Sequence, residues 1–205
     1  MLQMTTQVRK QAIRQRIIID RERLGADERA IKSHQISKRI ASLEAYRKAG
    51  TVLAYMSFGA EYSTRELVRQ ALREDKRVLL PRVNVATKEL DLYQVSNLQH
   101  DLAPGQWNIP EPLVERCPRI DLLRDLDFIL LPGVAFGRDG VRLGYGGGFY
   151  DKLLARIAVT WQDHFPALVA GAFSMQLIEG IPQEQTDYKV EWIVTENEVI
   201  PCAAH

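Results

Sequence analysis

Hydrophobic and polar positions change period several times along the chain. From Thr6 to about Leu24, Val8, Ala12, Ile13 and Ile17 recur at helical spacing and can share one stripe, surrounded by Arg9, Lys10, Arg14, Arg16, Arg21 and Arg23. This predicts an amphipathic helix, ended by Gly25. Asp27 is placed to cap a second helix that turns Ile36, Ile40 and Leu43 inward and stops near Gly50. Thr51 to Met56 is a short apolar run after a glycine, as in a strand covered on both faces. Ser63-Thr64-Arg65-Glu66 has the form of a capping box opening a helix with Leu67, Val68, Ala71 and Leu72 at helical spacing. Lys76 to Pro81 reads as the next buried strand, and the strand, helix and strand together imply a right-handed crossover with parallel pairing.

Further on, Leu90 to Tyr93 alternates like a less buried strand, while Ala103 to Pro112, rich in Pro and Gly, reads as a loop. Asp127 to Leu131 is another buried strand, ending at Pro132-Gly133. A helix is expected from Phe149 to about Trp161, and two more strands at Ala167–Ala170 and Trp192–Thr195. The fold class is α/β: a three-layer sandwich with a mostly parallel central sheet flanked by helices. No internal repeat interrupts it, and the expectation is one domain over residues 1–205, with N-terminal helices (about 6–49) packed on the sheet.

Twenty-seven basic and 26 acidic side chains among 205 residues leave a formal net charge of +1, which offers no global field for nucleic acid or an anionic membrane. Any basic site must be local. No apolar run approaches the roughly 20 residues that span a bilayer, and the first residues lack the order of a signal peptide, so a cytoplasmic protein is expected, with a monomer as the default. Cys117 and Cys202 have no metal-knuckle spacing and read as free thiols, and the four histidines show no ligand spacing.

In parallel sheets, ligands sit beyond the carboxyl ends of the strands, so the loops after Met56, Leu131 and Ala170 are the places for chemistry. Seven glycines lie between Gly133 and Gly148, four of them in Gly144 to Gly148, and the loop runs directly into a predicted helix. Bare amides and a helix N-terminus suit a phosphate, and Arg142 adds fixed positive charge. Tight turns alone would also use glycine, though hardly four in five. The dinucleotide fingerprint fails because Phe149 stands where glycine or alanine is required, and no Gly-Lys-Ser or Gly-Lys-Thr is present. The architecture expected is thus Rossmann-like without that fingerprint. Lys10 and Arg14, at i and i+4, can converge on one anion, with Arg21 along the same side; taken alone they equally fit a solvated basic face. Glu61 can accept hydrogen bonds from an amine-rich ring. Asp151 and Asp187 are candidate magnesium ligands, and Asp151 can equally cap its helix.

Leu131-Pro132-Gly133-Val134-Ala135-Phe136 followed by Gly140 to Asp151 (GVRLGYGGGFYD) resembles the signature of the 5-formyltetrahydrofolate cyclo-ligases, also called methenyltetrahydrofolate synthetases. Lys10 and Arg14, Tyr55-Met56-Ser57 with Glu61 and Thr64, Leu80-Pro81-Arg82, Trp107 with Ile109 to Pro112, and Asp187 before Val194-Thr195-Glu196 extend the likeness over nearly the whole chain. The resemblance implies ATP bound by Lys10, Arg14 and the loop Arg142, Leu143, Gly144, Tyr145, Gly146, Gly147, Gly148, Phe149 and Tyr150. It implies Mg2+ at Asp151 and Asp187, and a folate, with or without a polyglutamate tail, at Met56, Glu61 and Tyr145 to Phe149. The implied reaction phosphorylates the formyl oxygen and closes a ring through nitrogen 10, with Lys10, Arg14 and Arg142 neutralising charge. Departures from the family pattern are Phe149 for Tyr, Asn108 for Gly, Gly137 for Asp, and Thr186 for the His before the metal aspartate. Thr186 invites the alternative of a non-catalytic folate- or nucleotide-binding homologue; a nucleic-acid role for the first helix has no recognition motif behind it.

Overall fold

The computed structural model describes residues 5–160, 165–183 and 188–202. Its helices are α1 (Thr6–Glu22), α2 (Ala26–Ser42), α3 (Glu44–Lys48), α4 (Arg65–Arg73) and α5 (Phe149–Thr160). The central strands are β1 (Thr51–Leu53), β2 (Arg77–Asn84), β7 (Phe128–Leu130), β10 (Ala167–Gly171) and β11 (Trp192–Val194), which pair in parallel in the order β11-β10-β7-β1-β2. Antiparallel strands close both margins: β12 (Val199–Pro201) beside β11, and β3 (Glu89–Val95) followed by β6 (Arg119–Ile120) beside β2. Two hairpins stand apart from this sheet, β4 (Leu102–Pro104) with β5 (Pro110–Pro112), and β8 (Ala135–Phe136) with β9 (Arg142–Leu143).

Alternation along the buried strands sends side chains to two cores. Val52, Leu80, Phe128, Leu130 and Val169 pack with Ile36, Ile40 and Tyr46 of α2 and α3 and with Leu67, Val68 and Ala71 of α4. Leu53, Leu79, Ile129 and Leu168 pack on the other face against Leu153, Leu154 and Ile157 of α5. The expected α/β sandwich, mostly parallel and helix-covered on both faces, is therefore the one formed. A third cluster binds α1 through Ile17 to Val134, Ala135, Val141 and Leu143 of the β8–β9 hairpin.

Several local expectations differ from the structure. Val8 is exposed, and α1 buries Lys10, Ile17 and Arg21 instead, so its inner face is largely basic. Gly25 occupies the α2 N-cap with Asp27 inside the first turn, and the helix stops at Ser42 because Leu43 is extended. The Ser63–Glu66 capping box does not form: Thr64 stands at the N-cap instead, its hydroxyl donates to the Tyr55 carbonyl at 2.5 Å and Glu66 pairs with His34 at 2.8 Å, leaving α4 without a side-chain cap. Strand hydrogen bonding in β1 is shorter than the apolar run, although Ala54, Tyr55 and Met56 beyond it are buried. Ala103 to Pro112 belongs to the β4–β5 hairpin rather than a plain loop, since Pro110 and Pro112 fall at the ends of a short strand. Trp161, expected near the end of α5, lies outside the described residues.

Candidate functional site

β1 and β7 are neighbours, but the chain leaves β1 for β2 on one side and β7 for β10 on the other. Their carboxyl ends therefore diverge, which opens a crevice where ligands bind in sheets of this kind. A cavity of about 660 Å³ occupies it, lined at its base by Tyr55 and Met56 after β1 and by Pro132 after β7.

The glycine-rich loop reaches this cavity because β8 and β9 turn the chain back, with Val134 N donating to Leu143 O at 2.7 Å. Beyond β9 the chain passes Gly144 to Gly148 and enters α5. Gly146 has φ +100° and Gly148 φ +68°, a backbone region costly for any residue with a Cβ, so the glycine cluster serves conformation as well as access. A Cβ at Gly146 would also stand 3.4 Å from Cζ of Arg14. Arg14 Nε donates to Gly144 O at 2.8 Å and pins α1 on the loop. Lys10, one turn earlier and 6% exposed, lines the same cavity. The reading of these cations as a solvated helix face is thereby excluded for Lys10 and Arg21, both buried.

Arg142 is buried, and its Nη2 donates to Asp151 Oδ1 at 2.5 Å while Nη1 donates to Pro132 O at 3.2 Å. Its Nε has no hydrogen-bond partner among the described residues. Asp151 sits in the first turn of α5, where the helix dipole favours a negative charge. Glu61, 7% exposed, accepts from Phe58 N at 3.0 Å on Oε2 and from the Tyr145 hydroxyl at 2.6 Å on Oε1. Tyr145 in turn accepts from Arg21 Nη2 at 2.7 Å. Burial pushes the Glu61 carboxyl above its ordinary range, against the hydrogen bonds of Tyr145 and Phe58 and the charge of Arg21, which pull it down. Burial likewise pushes the phenols of Tyr55, Tyr145 and Tyr150 upward.

Apolar lining comes from Met56, Pro81, Val83, Leu90 and Ile109. Trp107, at the tip of the β4–β5 hairpin, meets the Phe149 ring edge-on at 6.0 Å, and the rings of Phe58 and Tyr145 lie 5.2 Å apart. Positively charged side chains and loop amides can hold a polyphosphate; aromatic edges with buried carboxylates suit a planar ring that bears N–H donors. Every residue expected at the site within the described chain, namely Lys10, Arg14, Met56, Glu61, the run Arg142 to Tyr150, and Asp151, lines this one cavity. Asp187 and Thr186 lie outside the described residues.

Tyr55, Phe58, Trp107 and Glu111 also line the cavity and had no assigned role. Glu111 is buried and accepts from Val83 N at 3.2 Å. Trp107 carried a readable signal, a large aromatic beside asparagine in a Pro/Gly-rich stretch; both Trp107 and Asn108 adopt left-handed φ. Arg21 is the fourth member of a face running through Lys10, Arg14 and Ile17.

No cluster of three or more His, Cys, Asp or Glu able to hold a metal occurs among the described residues. Asp151 on the cavity wall, with a side chain 39% exposed, fits the single-carboxylate share of an ion carried in on nucleotide phosphates.

A switch-point crevice that combines an anion cradle with a ring-sized apolar wall defines an α/β enzyme bringing nucleotide chemistry to a second small molecule. A family model described as the 5-formyltetrahydrofolate cyclo-ligase family matches residues 6–196. The 5-formyltetrahydrofolate cyclo-ligase of Escherichia coli strain K12 is 33% identical over 187 residues, covering 91% of this chain and 98% of its own. The enzyme of the same name from Saccharomyces cerevisiae is 31% identical over 202 residues, covering 90% and 94%. Among solved structures, the 5,10-methenyltetrahydrofolate synthetase of Aquifex aeolicus superposes with a TM-score of 0.80 at 31% identity over 96% of this chain and 94% of that one. The chain belongs to the 5-formyltetrahydrofolate cyclo-ligase family. It is a ligase, and such a ligase implies the use of a nucleotide. No described helix is long and apolar enough to cross a membrane.

Proposed function

We propose that this chain converts 5-formyltetrahydrofolate to 5,10-methenyltetrahydrofolate with ATP and Mg2+, in the cytoplasm and as a monomer, releasing ADP and phosphate. The observation that carries the reading is the meeting of Lys10, Arg14, Arg142 and the glycine loop with Met56, Glu61 and Phe149 in one cavity. ATP phosphorylates the formyl oxygen on nitrogen 5; nitrogen 10 then attacks the activated carbon, and loss of phosphate and of the nitrogen-10 proton leaves the cyclic product. No protein nucleophile is required, so catalysis rests on positioning and charge.

Gly144 to Gly148 present backbone amides to the phosphates, and Lys10 with Arg14 adds positive charge from α1. Arg142, buried and braced by Pro132 O, supplies a guanidinium that needs little reorganisation as charge develops on the transferred group. Mg2+ held by Asp151 and Asp187 would neutralise phosphate charge. Glu61 accepts from the N–H groups of the folate ring system, which Met56 and Phe149 flank; Phe149 keeps the ring face of the family tyrosine without its hydroxyl.

The test is absorbance in the methenyl band when purified protein meets 5-formyltetrahydrofolate, Mg2+ and ATP. A rise requiring all three is expected. Binding of both ligands without any rise would refute cyclisation and mark a non-catalytic homologue.

A further inference from the structure

Arg21 is 3% exposed and does not line the cavity, yet it reaches the site through one hydroxyl. Its Nη2 donates to Tyr145 at 2.7 Å, and Tyr145 spends its single O–H on Glu61 Oε1 at 2.6 Å. The guanidinium also stands 5.9 Å from the centroid of the Tyr145 ring. Its Nε has no hydrogen-bond partner among the described residues. A guanidinium buried with a donor unspent is costly, and a phenol beside it could have been served by a neutral donor. The arrangement has a direction: because Arg21 can only donate, the Tyr145 oxygen accepts from it and the Tyr145 proton must point at Glu61.

We infer that Arg21 is a positioning residue for folate recognition, acting through Tyr145 to fix the orientation and ionisation of Glu61. The inference rests on the proposed function for the identity of the ligand. Charged and titratable groups facing the carboxylate include Arg21 from α1, Tyr145 from the glycine loop, Tyr55 after β1 and Tyr150 from α5. Of these, Arg21 is the cation, so its removal leaves burial less opposed and moves the Glu61 carboxyl further upward. The same loop is held at Gly144 by Arg14, so α1 grips it at two points with separate consequences: Arg14 for the backbone of the anion cradle, Arg21 for the ring-binding acid.

The experiment is equilibrium binding of 5-formyltetrahydrofolate, followed by intrinsic tryptophan fluorescence across pH, for wild type, Arg21→Met, Arg21→Lys, Tyr145→Phe and the Arg21→Met/Tyr145→Phe double variant. Arg21→Met should weaken folate binding about tenfold and leave ATP binding unchanged, with Arg21→Lys restoring part of the loss. The acid midpoint of folate binding should move to higher pH in Arg21→Met. In the Tyr145→Phe background, Arg21→Met should add little, since the connecting hydroxyl is already gone. Equal losses for folate and ATP with a lowered thermal midpoint and an unmoved pH midpoint would show a merely structural Arg21 and overturn the inference. Full additivity of the two substitutions would overturn it as well, and it also guards against misfolding of the Arg21 variants, because Tyr145→Phe keeps the ring. A wild type that binds folate with this Arg21 dependence but forms no methenyl product would refute the proposed reaction while supporting the inference.

Discussion

Asp151→Asn separates the two duties given to that carboxylate. In the folded protein it faces Arg142 at 2.5 Å, with side-chain exposures of 39% for the aspartate and 5% for the arginine. Breaking a fully buried pair costs about 3–5 kcal/mol and an exposed one about 0–1 kcal/mol. This pair is buried on one side only, and asparagine still offers an oxygen to Nη2, so a loss of about 1–2 kcal/mol is expected. For a chain of this size that lowers the thermal midpoint by about 2–8 °C. Measured without Mg2+, the midpoint reports the ion pair and the helix-dipole interaction, free of any metal ligation. The Mg2+ concentration for half-maximal methenyl formation reports ligation, and losing one carboxylate should raise it by at least about tenfold. A midpoint within about 1 °C of wild type would refute the assigned strength of the pair. An unchanged Mg2+ requirement would remove Asp151 from the metal site.

Three further outcomes are expected. Gly146→Ala places a Cβ at φ +100° and 3.4 Å from Arg14 Cζ, so stability should fall by about 1–2 kcal/mol in denaturant titration and the KM for ATP should rise as Arg14 shifts. Glu61 holds its proton more tightly in the folded protein than in the unfolded chain, so its contribution to stability is greatest below the ordinary carboxylate range and is lost as pH rises through the folded value. Glu61→Gln should therefore raise the thermal midpoint at neutral pH, with the gain vanishing on acidification, while abolishing folate binding. Leu154→Ala empties a fully buried position between α5 and the sheet and should cost about 3 kcal/mol, read as a fall of about 6–12 °C in thermal midpoint.

Apolar runs made the parallel centre of the fold legible, because Thr51 to Leu53, Phe128 to Leu130 and Ala167 to Gly171 are buried on both faces and show it in composition. The margins were hidden: Arg119–Ile120 and Val199–Pro201 are too short for a period to register, and one ends in proline. Ser63 and Glu66 have the right spacing for a capping box, but α4 begins one residue late, with Thr64 at the N-cap, and Glu66 pairs with His34, distant in sequence. The misread stripe of α1 has a deeper cause. Pattern analysis puts apolar residues inside, whereas here Lys10 is buried at the cavity wall and Arg21 is buried beside the Tyr145 hydroxyl to which it donates. The glycine run and Arg142 were legible for the same reason inverted, since such a composition has little use outside a ligand site. Glu111 and Phe58 were not, for nothing local marks a surface-type residue that tertiary structure folds into a crevice.

The grip of α1 on the glycine loop also sets a timetable. Arg14 and Gly144 are 130 residues apart, and Arg21 and Tyr145 are 124 apart. A ribosome adding roughly 5–20 residues per second leaves the first helix waiting on the order of 10 s for the loop it must clasp. During that interval its basic inner face has no cradle to complete, and the nascent chain can build much of the sheet without possessing a place for either ligand. Competence therefore arrives all at once, when α1 docks on a loop made 124 to 130 residues after it.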